Sequence, residues 1–236
     1  MPCGPWCAAS LDKRKPTLQY KIILTGATGY VGEGVLLECL AHPAIEQVLL
    51  VTRKPYDGQH PKIRQCVVPD FLELDGIAGE LSGYDACFYC AGVSSVGLSE
   101  AEYSRITLDT TIQFASRLAG LNPQMTFCYV SGRNVSGRAE KSMWARVKWK
   151  TENALMELGF RQVYNFRAGF MKPTPGQQNV QTAYKLLAPL YPLWRVLFPA
   201  QVSTLRDVAL AMIHSVLRGY PRPALEVTDI KSLARV

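Results

Sequence analysis

The feature that most constrains the fold is a glycine-rich turn, Gly26-Ala27-Thr28-Gly29, between two segments of different periodicity. The residues before it, Tyr20 to Thr25, are rich in β-branched and aromatic side chains, which predicts a strand. The residues after it, from Tyr30 to His42, carry apolar side chains at helical spacing and stop at Pro43, which predicts a helix. A strand, a glycine turn and a helix in direct succession predict the first unit of a parallel α/β sheet.

The rest of the chain repeats this alternation of strand and helix. Further strands are predicted at Gln47–Thr52, Cys66–Val68, Ala86–Ala91, Met125–Val130, Val163–Phe166 and Ala224–Val227, and further helices at Glu100–Gly120, Ser142–Leu158 and Leu205–Arg218. The strands are too continuously apolar for a sheet with one wet face, so helices should cover both faces. We therefore expect an α/β fold, a Rossmann-type doubly wound parallel sheet, as a single domain over residues 20–236.

Two parts of the chain depart from this pattern. Residues 1–19 carry no periodic apolar pattern, and we expect a poorly ordered N-terminal extension. After Met171 the sequence becomes rich in proline and aromatic residues, which predicts a small, irregular C-terminal lobe over about 171–236. We expect the aromatic stretch Leu186–Pro199 to serve packing or an interface, such as that of a homodimer or a membrane face, rather than a hydrophobic substrate pocket.

Charge and cysteine content narrow the classes of partner. The 236 residues carry a net charge of +7 with no basic run interleaved with aromatic residues, so nucleic acid is not an expected partner. Cys87 and Cys90 resemble a metal-binding pair, but three positions apart on a strand their sulfur atoms point to opposite faces, and no metal is expected. Seven scattered cysteines favour reduced thiols and a cytoplasmic protein. No apolar run reaches the roughly 20 residues of a transmembrane segment.

The glycine turn has the chemistry of a pyrophosphate site. Gly26 permits the tight turn, Gly29 lets backbone amides approach the anion, and Gly32 lets the helix pack close to the sheet. Thr28, Tyr30 and Val31 complete this loop and the helix start that faces the anion. The loop therefore predicts a nicotinamide dinucleotide as ligand.

The end of the second predicted strand indicates which dinucleotide is bound. NAD sites usually place a carboxylate there to hold the ribose 2′-hydroxyl. This chain has Thr52, Arg53 and Lys54 instead. A guanidinium group matches phosphate oxygens, so we expect NADP(H) to be preferred over NAD(H). The alternative is that Arg53 and Lys54 form an ordinary solvated loop.

With these motifs in order, the chain resembles the short-chain dehydrogenase/reductase superfamily. Within it, the similarity is to the atypical and extended branch of NAD-dependent epimerases and dehydratases, near the Tat-interacting-protein-like NADPH binders. The motifs that carry it are Thr-Gly-x-x-Gly-x-x-Gly at Thr25, Asp70-Phe71, Cys90-Ala91-Gly92, Tyr129-Val130-Ser131-Gly132 and Phe166-Arg167-Ala168-Gly169-Phe170. The resemblance implies that Asp70 and Phe71 border the adenine, that Cys90, Ala91 and Gly92 line the adenosine half, and that Arg167 belongs to the cofactor site.

The resemblance also implies an acid–base unit, from which this chain departs. The superfamily places a tyrosine four residues before a lysine on one helix, with a serine at the end of the preceding strand. Here Ser131 and Lys148 match, but the tyrosine position holds Trp144, and Thr107 stands where many relatives have an asparagine. An indole N–H donates a hydrogen bond but cannot exchange a proton near neutral pH.

Several routes could supply the missing acid. Tyr103, Tyr129 or Tyr164 could reach the nicotinamide, Lys148 could act with a lowered pKa, or water could supply the proton. The leading hypothesis is an oxidoreductase or epimerase acting on an unidentified small molecule, with Ser131 at the substrate oxygen and Lys148 at the ribose. The alternative is a catalytically silent NADP(H)-binding sensor.

Overall fold

The computed structural model describes residues 18–133, 135, 142–180 and 191–236. Its strands are β1 Tyr20–Thr25, β2 Ile45–Thr52, β3 Ile63–Val67, β4 Ala86–Tyr89, β5 Thr126–Gly132, β6 Gln162–Ala168, β7 Phe170–Lys172, β8 Val202–Thr204 and β9 Ala224–Glu226. Its helices are α1 Tyr30–Ala41, α2 Glu100–Ser104, α3 Thr110–Leu121, α4 Met143–Met156, α5 Tyr191–Leu197, α6 Leu205–Arg218 and α7 Val227–Ala234. A short 3₁₀ turn lies at Asp75–Ile77.

Seven strands form one parallel sheet in the order β3-β2-β1-β4-β5-β6-β9. The chain first runs outward from β1 to β3, then returns to β4 on the other side of β1. This reversal leaves a crevice above the carboxyl ends of β1 and β4, where open α/β sheets bind their ligands. The predicted Rossmann-type sheet is confirmed.

Alternating side chains of the strands build a core on each face of the sheet. Ile22 and Leu24 pack on one face with α1 and α6, whereas Ile23 lies on the other face with residues of α3. The two cysteines near β4 follow the same alternation, with Cys87 in the second core and Cys90 packed against the first. Their sulfur atoms therefore lie on opposite faces, as predicted. The described residues contain no cluster that could hold a metal ion.

The helix predicted over Glu100–Gly120 is interrupted by five residues of π-helix. Between α2 and α3, Arg105–Asp109 widens the helical turn, and the Thr110 hydroxyl donates to the Arg105 carbonyl at 3.0 Å. Such a turn shifts the phase of the side chains that follow it, and π turns often occur beside functional sites. Hydrophobic periodicity over a long segment does not reveal a shift of one residue, so the sequence predicts a plain helix.

The C-terminal part contributes more to the main layers than the lobe expected over 171–236. Helix α6 packs on α1, and its Val208, Ala209 and Met212 are fully buried in the first core. Strand β9 extends the large sheet beyond β6, while β7 and β8 form a separate two-stranded sheet. The apolar face of α6 explains this arrangement, because it can be buried only against another apolar face. No helix in the described ranges is long and apolar enough to cross a bilayer.

Candidate functional site

A cleft of about 1090 Å³ lies at the carboxyl edge of the sheet, at the crevice above β1 and β4. The loop after β1 contributes Gly26, Thr28 and Gly29, and the end of β2 contributes Thr52 and Arg53. The segment after β3 contributes Asp70 and Phe71, and the segment after β4 contributes Cys90, Ala91 and Gly92. Four separate strands thus bring ten of the residues singled out from the sequence to one cavity. The π segment adds Ile106, and α3 adds Thr110, neither of which the sequence indicated.

The glycine turn leaves no room for side chains at two positions. Gly26 has a φ of +72°, and a Cβ built on it would lie 2.7 Å from the Ala91 nitrogen and from the Cys90 carbonyl. A Cβ on Gly32 would lie 2.1 Å from the Gly26 carbonyl oxygen. The turn is therefore packed against β4 on one side and against its own helix on the other. In addition, the buried Thr25 hydroxyl accepts a hydrogen bond from the Ala91 amide at 3.1 Å, which ties the two loops together.

The amino end of α1 opens toward the cleft without a side-chain cap. Gly29 is the N-cap residue and offers no acceptor to the first-turn amides. Uncapped amides and the positive end of the helix dipole favour an anion at this place. The predicted loop residues Tyr30, Val31 and Gly32 do not line the cleft. The Tyr30 hydroxyl donates to the Met171 carbonyl, and Val31 packs against the first core. Both side chains therefore fix the start of α1 to the rest of the fold.

The wall at the end of β2 is cationic. Arg53 and Lys54 are exposed and line the cleft, and contact of Arg53 with a phosphate stays a prediction. Between them and the sheet lies Thr52, which is buried and whose hydroxyl has no hydrogen-bond partner among the described residues. An unpaired buried hydroxyl costs free energy unless a ligand or water satisfies it.

The segment after β3, which neighbours β2 in the sheet, also lines the cleft. Phe71 is buried and stacks on Phe114 with ring centroids 5.3 Å apart, so its ring belongs to the second core. Asp70 is exposed, and its carboxylate accepts the Leu72 amide at 2.9 Å. This turn presents one carboxylate and a stretch of backbone to the cleft.

The predicted catalytic pair lies outside the residues that line the cleft, at the end of β5 and on α4. The Lys148 ammonium donates to the Val130 carbonyl at 3.0 Å and lies 3.4 Å from the Tyr129 hydroxyl. Burial lowers the pKa of Lys148 to about 8, although the charge of Glu152 acts in the opposite direction. The Ser131 hydroxyl is buried and has no hydrogen-bond partner among the described residues.

The Trp144 ring packs against the backbone of β5. A Cβ on Gly132 would lie 2.6 Å from the Cζ3 atom of the Trp144 ring, so the indole lies directly on the backbone of β5 next to Ser131. Any side chain at position 132 would push the ring away. The sequence shows the tryptophan but not this contact, because residues 132 and 144 meet only in the folded chain.

The tyrosines considered as substitute acids are all buried. Tyr129 lies in the second core, Tyr164 lies in the first core, and Tyr103 is 2% exposed. Burial raises the pKa of Tyr129 well above its usual range and also raises that of Tyr103. Thr107 is buried next to Tyr103 on the π segment. None of these three phenols lines the cleft.

Arg167, predicted as a cofactor residue, instead forms an ion-pair network away from the cleft lining. It donates to Glu152 at 2.6 Å and to Glu226 at 3.1 Å, which joins β6 to α4 and to the end of β9. These hydrogen bonds raise the pKa of Arg167, with Glu152 as the largest cause. Glu152 is buried, and it therefore needs this cation as a partner.

A segment after β7 crosses the start of α1, and sequence reasoning missed it. The buried Glu33 carboxylate accepts the Gln178 amide at 2.7 Å and the Asn179 amide at 2.6 Å. The Gln177 side chain donates to the Tyr30 carbonyl. We call residues 174–180 the strap. The only signal in the sequence is an acidic residue in the first turn of a helix, which is common for reasons of the helix dipole alone.

Comparison with known proteins agrees with this architecture. The profile of the NAD dependent epimerase/dehydratase family matches residues 22–154. Leucinostatins biosynthesis cluster protein T of Purpureocillium lilacinum is 32% identical over 114 residues, 47% of this chain and 42% of that protein. Protein HTATIP2 of Rattus norvegicus is 26% identical over 153 residues, 64% of this chain and 62% of that protein. The alignments thus span less than two thirds of these curated relatives.

Solved structures share the fold at low sequence identity. The Bordetella bronchiseptica enzyme WbmF in complex with NAD⁺ has a TM-score of 0.64 at 17% identity, covering 94% of this chain and 78% of that one. MoeE5 in complex with UDP-glucuronic acid and NAD has a TM-score of 0.64 at 16% identity, covering 91% and 81%.

Proposed function

The chain belongs to the NAD dependent epimerase/dehydratase family, and on this premise we propose that it is an oxidoreductase- or epimerase-like protein that binds NADP(H) in preference to NAD(H). The observation that carries the proposal is the meeting of the glycine turn and the Arg53 wall in one cleft of about 1090 Å³. Its substrate is a small molecule that reaches the nicotinamide end of the site, near Ser131 and Lys148.

The residues present fit a dinucleotide. Gly26 and Gly32 leave no space for a Cβ, so the turn is compact, and Gly26, Thr28 and Gly29 line the cleft. Gly92 has the opposite property, since a Cβ there would meet no atom within 4 Å. A side chain at position 92 would project into free space, where the adenosine half would lie. The unpartnered Thr52 hydroxyl is a donor that a bound phosphate would satisfy.

The preference for the phosphorylated cofactor rests on charge. Arg53 and Lys54 line the cleft at the end of β2, where NAD sites usually have a carboxylate. A guanidinium group binds a 2′-phosphate with charge-assisted hydrogen bonds, each worth about 1.5–3 kcal/mol. That range corresponds to roughly 10- to 100-fold in affinity.

The proposed reaction needs a group near the end of β5 that can donate and accept a proton. When bound, the nicotinamide supplies or accepts a hydride. Lys148, with its pKa lowered to about 8 by burial, is an acid of suitable strength at neutral pH. The buried Ser131 hydroxyl has no hydrogen-bond partner among the described residues, and we assign it to orient a substrate oxygen. In this proposal Lys148 and Ser131 replace the tyrosine–lysine–serine unit of the superfamily.

One observation favours a second function. Trp144 lies on Gly132 at the place of the superfamily tyrosine, and Tyr103, Tyr129 and Tyr164 do not line the cleft. A protein that binds NADP(H) without turnover, and signals cofactor occupancy to a partner, would need no acid there.

The experiment is a calorimetric titration of the purified protein with NADPH and with NADH. We expect NADPH to bind more tightly, and we expect Arg53→Ala to weaken NADPH by 10- to 100-fold while changing NADH by less than threefold. Arg64→Ala, an exposed arginine on β3 that does not line the cleft, is the matched control and should leave both unchanged.

Equal losses for the two nucleotides would contradict the phosphate role of Arg53. Absence of binding to both would refute the proposed function. If NADPH binds but a panel of aldehydes, ketones and sugar nucleotides gives no NADPH oxidation and no epimerised product, the second function, an NADP(H)-binding sensor without turnover, is supported.

A further inference from the structure

Helix α5 has one buried side and one exposed apolar side. Tyr191 is buried, and Trp194 packs edge-on against Phe170 with ring centroids 5.3 Å apart, so these two aromatic residues anchor the helix. Beyond them, four apolar side chains face outward. The exposed fractions are 55% for Leu193, 74% for Val196, 57% for Leu197 and 49% for Phe198. We call these four residues the 193–198 patch.

The patch is fixed in position rather than loosely attached. The Phe198 amide donates to the Trp194 carbonyl at 2.8 Å, and the Gln201 amide donates to the Phe198 carbonyl at 2.9 Å. The Lys231 ammonium donates to the Pro199 carbonyl at 2.6 Å, which ties the end of the patch to α7. Four adjacent apolar side chains, held outward by a structured turn, form a surface that water solvates poorly.

Cationic groups lie near one end of this patch, where the Lys231 ammonium binds the Pro199 carbonyl. Arg195 lies on α5 itself and Arg235 follows α7, and both are exposed. Burial lowers the pKa of Lys231, Asp207 opposes that effect, and the nearby charges of Arg235 and Arg195 add to it. Three cations are therefore neighbours. Asp207 is the acidic group among them, and its carboxylate already accepts the Thr204 amide at 2.8 Å in the capping box of α6.

We propose that the 193–198 patch, together with Arg195, Lys231 and Arg235, is a docking surface for an anionic lipid bilayer. Apolar side chains enter the boundary between headgroups and acyl chains, and the cations pair with lipid phosphates. This combination binds a bilayer at its surface without crossing it.

A second copy of this chain fits the patch less well. A symmetric dimer through the same surface would place two clusters of three cations in one interface, and this like-charge repulsion is unfavourable unless anions intervene. The apolar side chains also project outward from a helix of seven residues. A fluid lipid surface adapts to this shape and supplies the opposite charge.

The test is co-sedimentation of the full chain with vesicles. We expect binding to vesicles of phosphatidylcholine with 30 mol% phosphatidylglycerol, little binding to phosphatidylcholine alone, and a loss of binding between 0.1 and 0.5 M NaCl, reflecting screening with a Debye length of about 10 Å at the lower salt. Replacing Arg195 and Arg235 by glutamine should each weaken partitioning about fivefold. Arg161→Gln, an exposed arginine at the start of β6, is the control and should change nothing.

The apolar part is tested by the double variant Val196→Glu/Phe198→Glu. It should lose at least tenfold in partitioning, whereas Met156→Glu, at an apolar residue of similar exposure at the end of α4, should not. Thermal melting of both variants checks that they fold. Equal binding to neutral vesicles, or unchanged binding of the double variant, would overturn the proposal. A dimer in analytical ultracentrifugation that the double variant abolishes, without vesicle binding, would assign the patch to a second copy instead. NADPH affinity should not change in any of these variants, so this outcome is separate from the proposed function.

Discussion

The tightest contact in the glycine turn supports a quantitative prediction for Gly32→Ala. The new Cβ would lie 2.1 Å from the Gly26 carbonyl oxygen and 2.4 Å from its carbonyl carbon. The turn or the helix must therefore move by roughly 1.3 Å, the difference between 2.1 Å and the 3.4 Å at which ordinary van der Waals contact begins. Both sides of the contact are backbone, so no rotamer change can relieve it.

We expect this substitution to lower the free energy of unfolding by about 1–3 kcal/mol, the usual cost of overpacking a tight site. For a chain of this size that is a fall of roughly 2–12 °C in melting temperature. Because we propose that this loop binds the cofactor pyrophosphate, a displacement of about 1 Å should also reduce NADPH affinity by 10-fold or more. Urea denaturation and calorimetric titration measure the two effects.

Gly120→Ala is the matched control. Gly120 lies in α3, and a Cβ there would meet no atom within 4 Å. Alanine is the better helix former, so this variant should gain about 0.5–1 kcal/mol and bind NADPH as the parent does. If Gly32→Ala proves as stable as the parent and binds NADPH equally well, the tight contact between Gly32 and Gly26 is not what holds the loop.

Three further outcomes are expected. Gly92→Ala should leave stability within about 0.5 kcal/mol of the parent, because its Cβ has free space, yet weaken NADPH at least tenfold; unchanged affinity in calorimetry would remove Gly92 from the cofactor site. The pKa of Lys148 is lowered to about 8 in the folded chain and is about 10.5, the ordinary lysine value, in the unfolded chain. Between these two pH values the unfolded chain binds more protons than the folded one. The free energy of unfolding of the parent should therefore rise with pH across this window, relative to that of Lys148→Met. Urea denaturation at pH 7, 8, 9 and 10 measures the free energy of unfolding of both proteins, and the same pH dependence in the parent and in Lys148→Met would contradict the prediction. Trp144→Tyr should raise NADPH-dependent carbonyl reduction by about 100-fold or more if a missing acid limits turnover, with Trp144→Phe as the inactive control; equal rates for the two would show that the acid is supplied elsewhere.

Local signals in the sequence were sufficient to predict the sheet and the walls of the cleft. Gly26 and Arg53 directly follow a strand, Gly92 is the third residue after β4, and parallel strands bring their carboxyl ends to one edge. Positions on different strands therefore meet without any knowledge of side-chain packing. This explains why ten of the predicted residues line a single cavity.

Contacts that depend on tertiary packing were not predictable. Arg167 lies near the carboxyl end of β6, whereas its partner Glu152 lies on α4 and pairs with its charge. The contact between Trp144 and Gly132 and the π turn at Arg105–Asp109 have no local pattern either. The two side-chain contacts depend on a partner distant in the chain, and the π turn depends on a phase shift of one residue.

The position of Glu33 links two parts of the molecule mechanically. Its helix turn begins at Gly29, which lines the cleft, while its carboxylate accepts hydrogen bonds from the amides of Gln178 and Asn179 in the strap. Because one helical turn supports both the cleft residue Gly29 and the strap, nucleotide binding at Gly29 should suppress local opening of the strap. Hydrogen exchange at residues 178 and 179 should therefore slow when nucleotide is added, although the ligand touches neither amide.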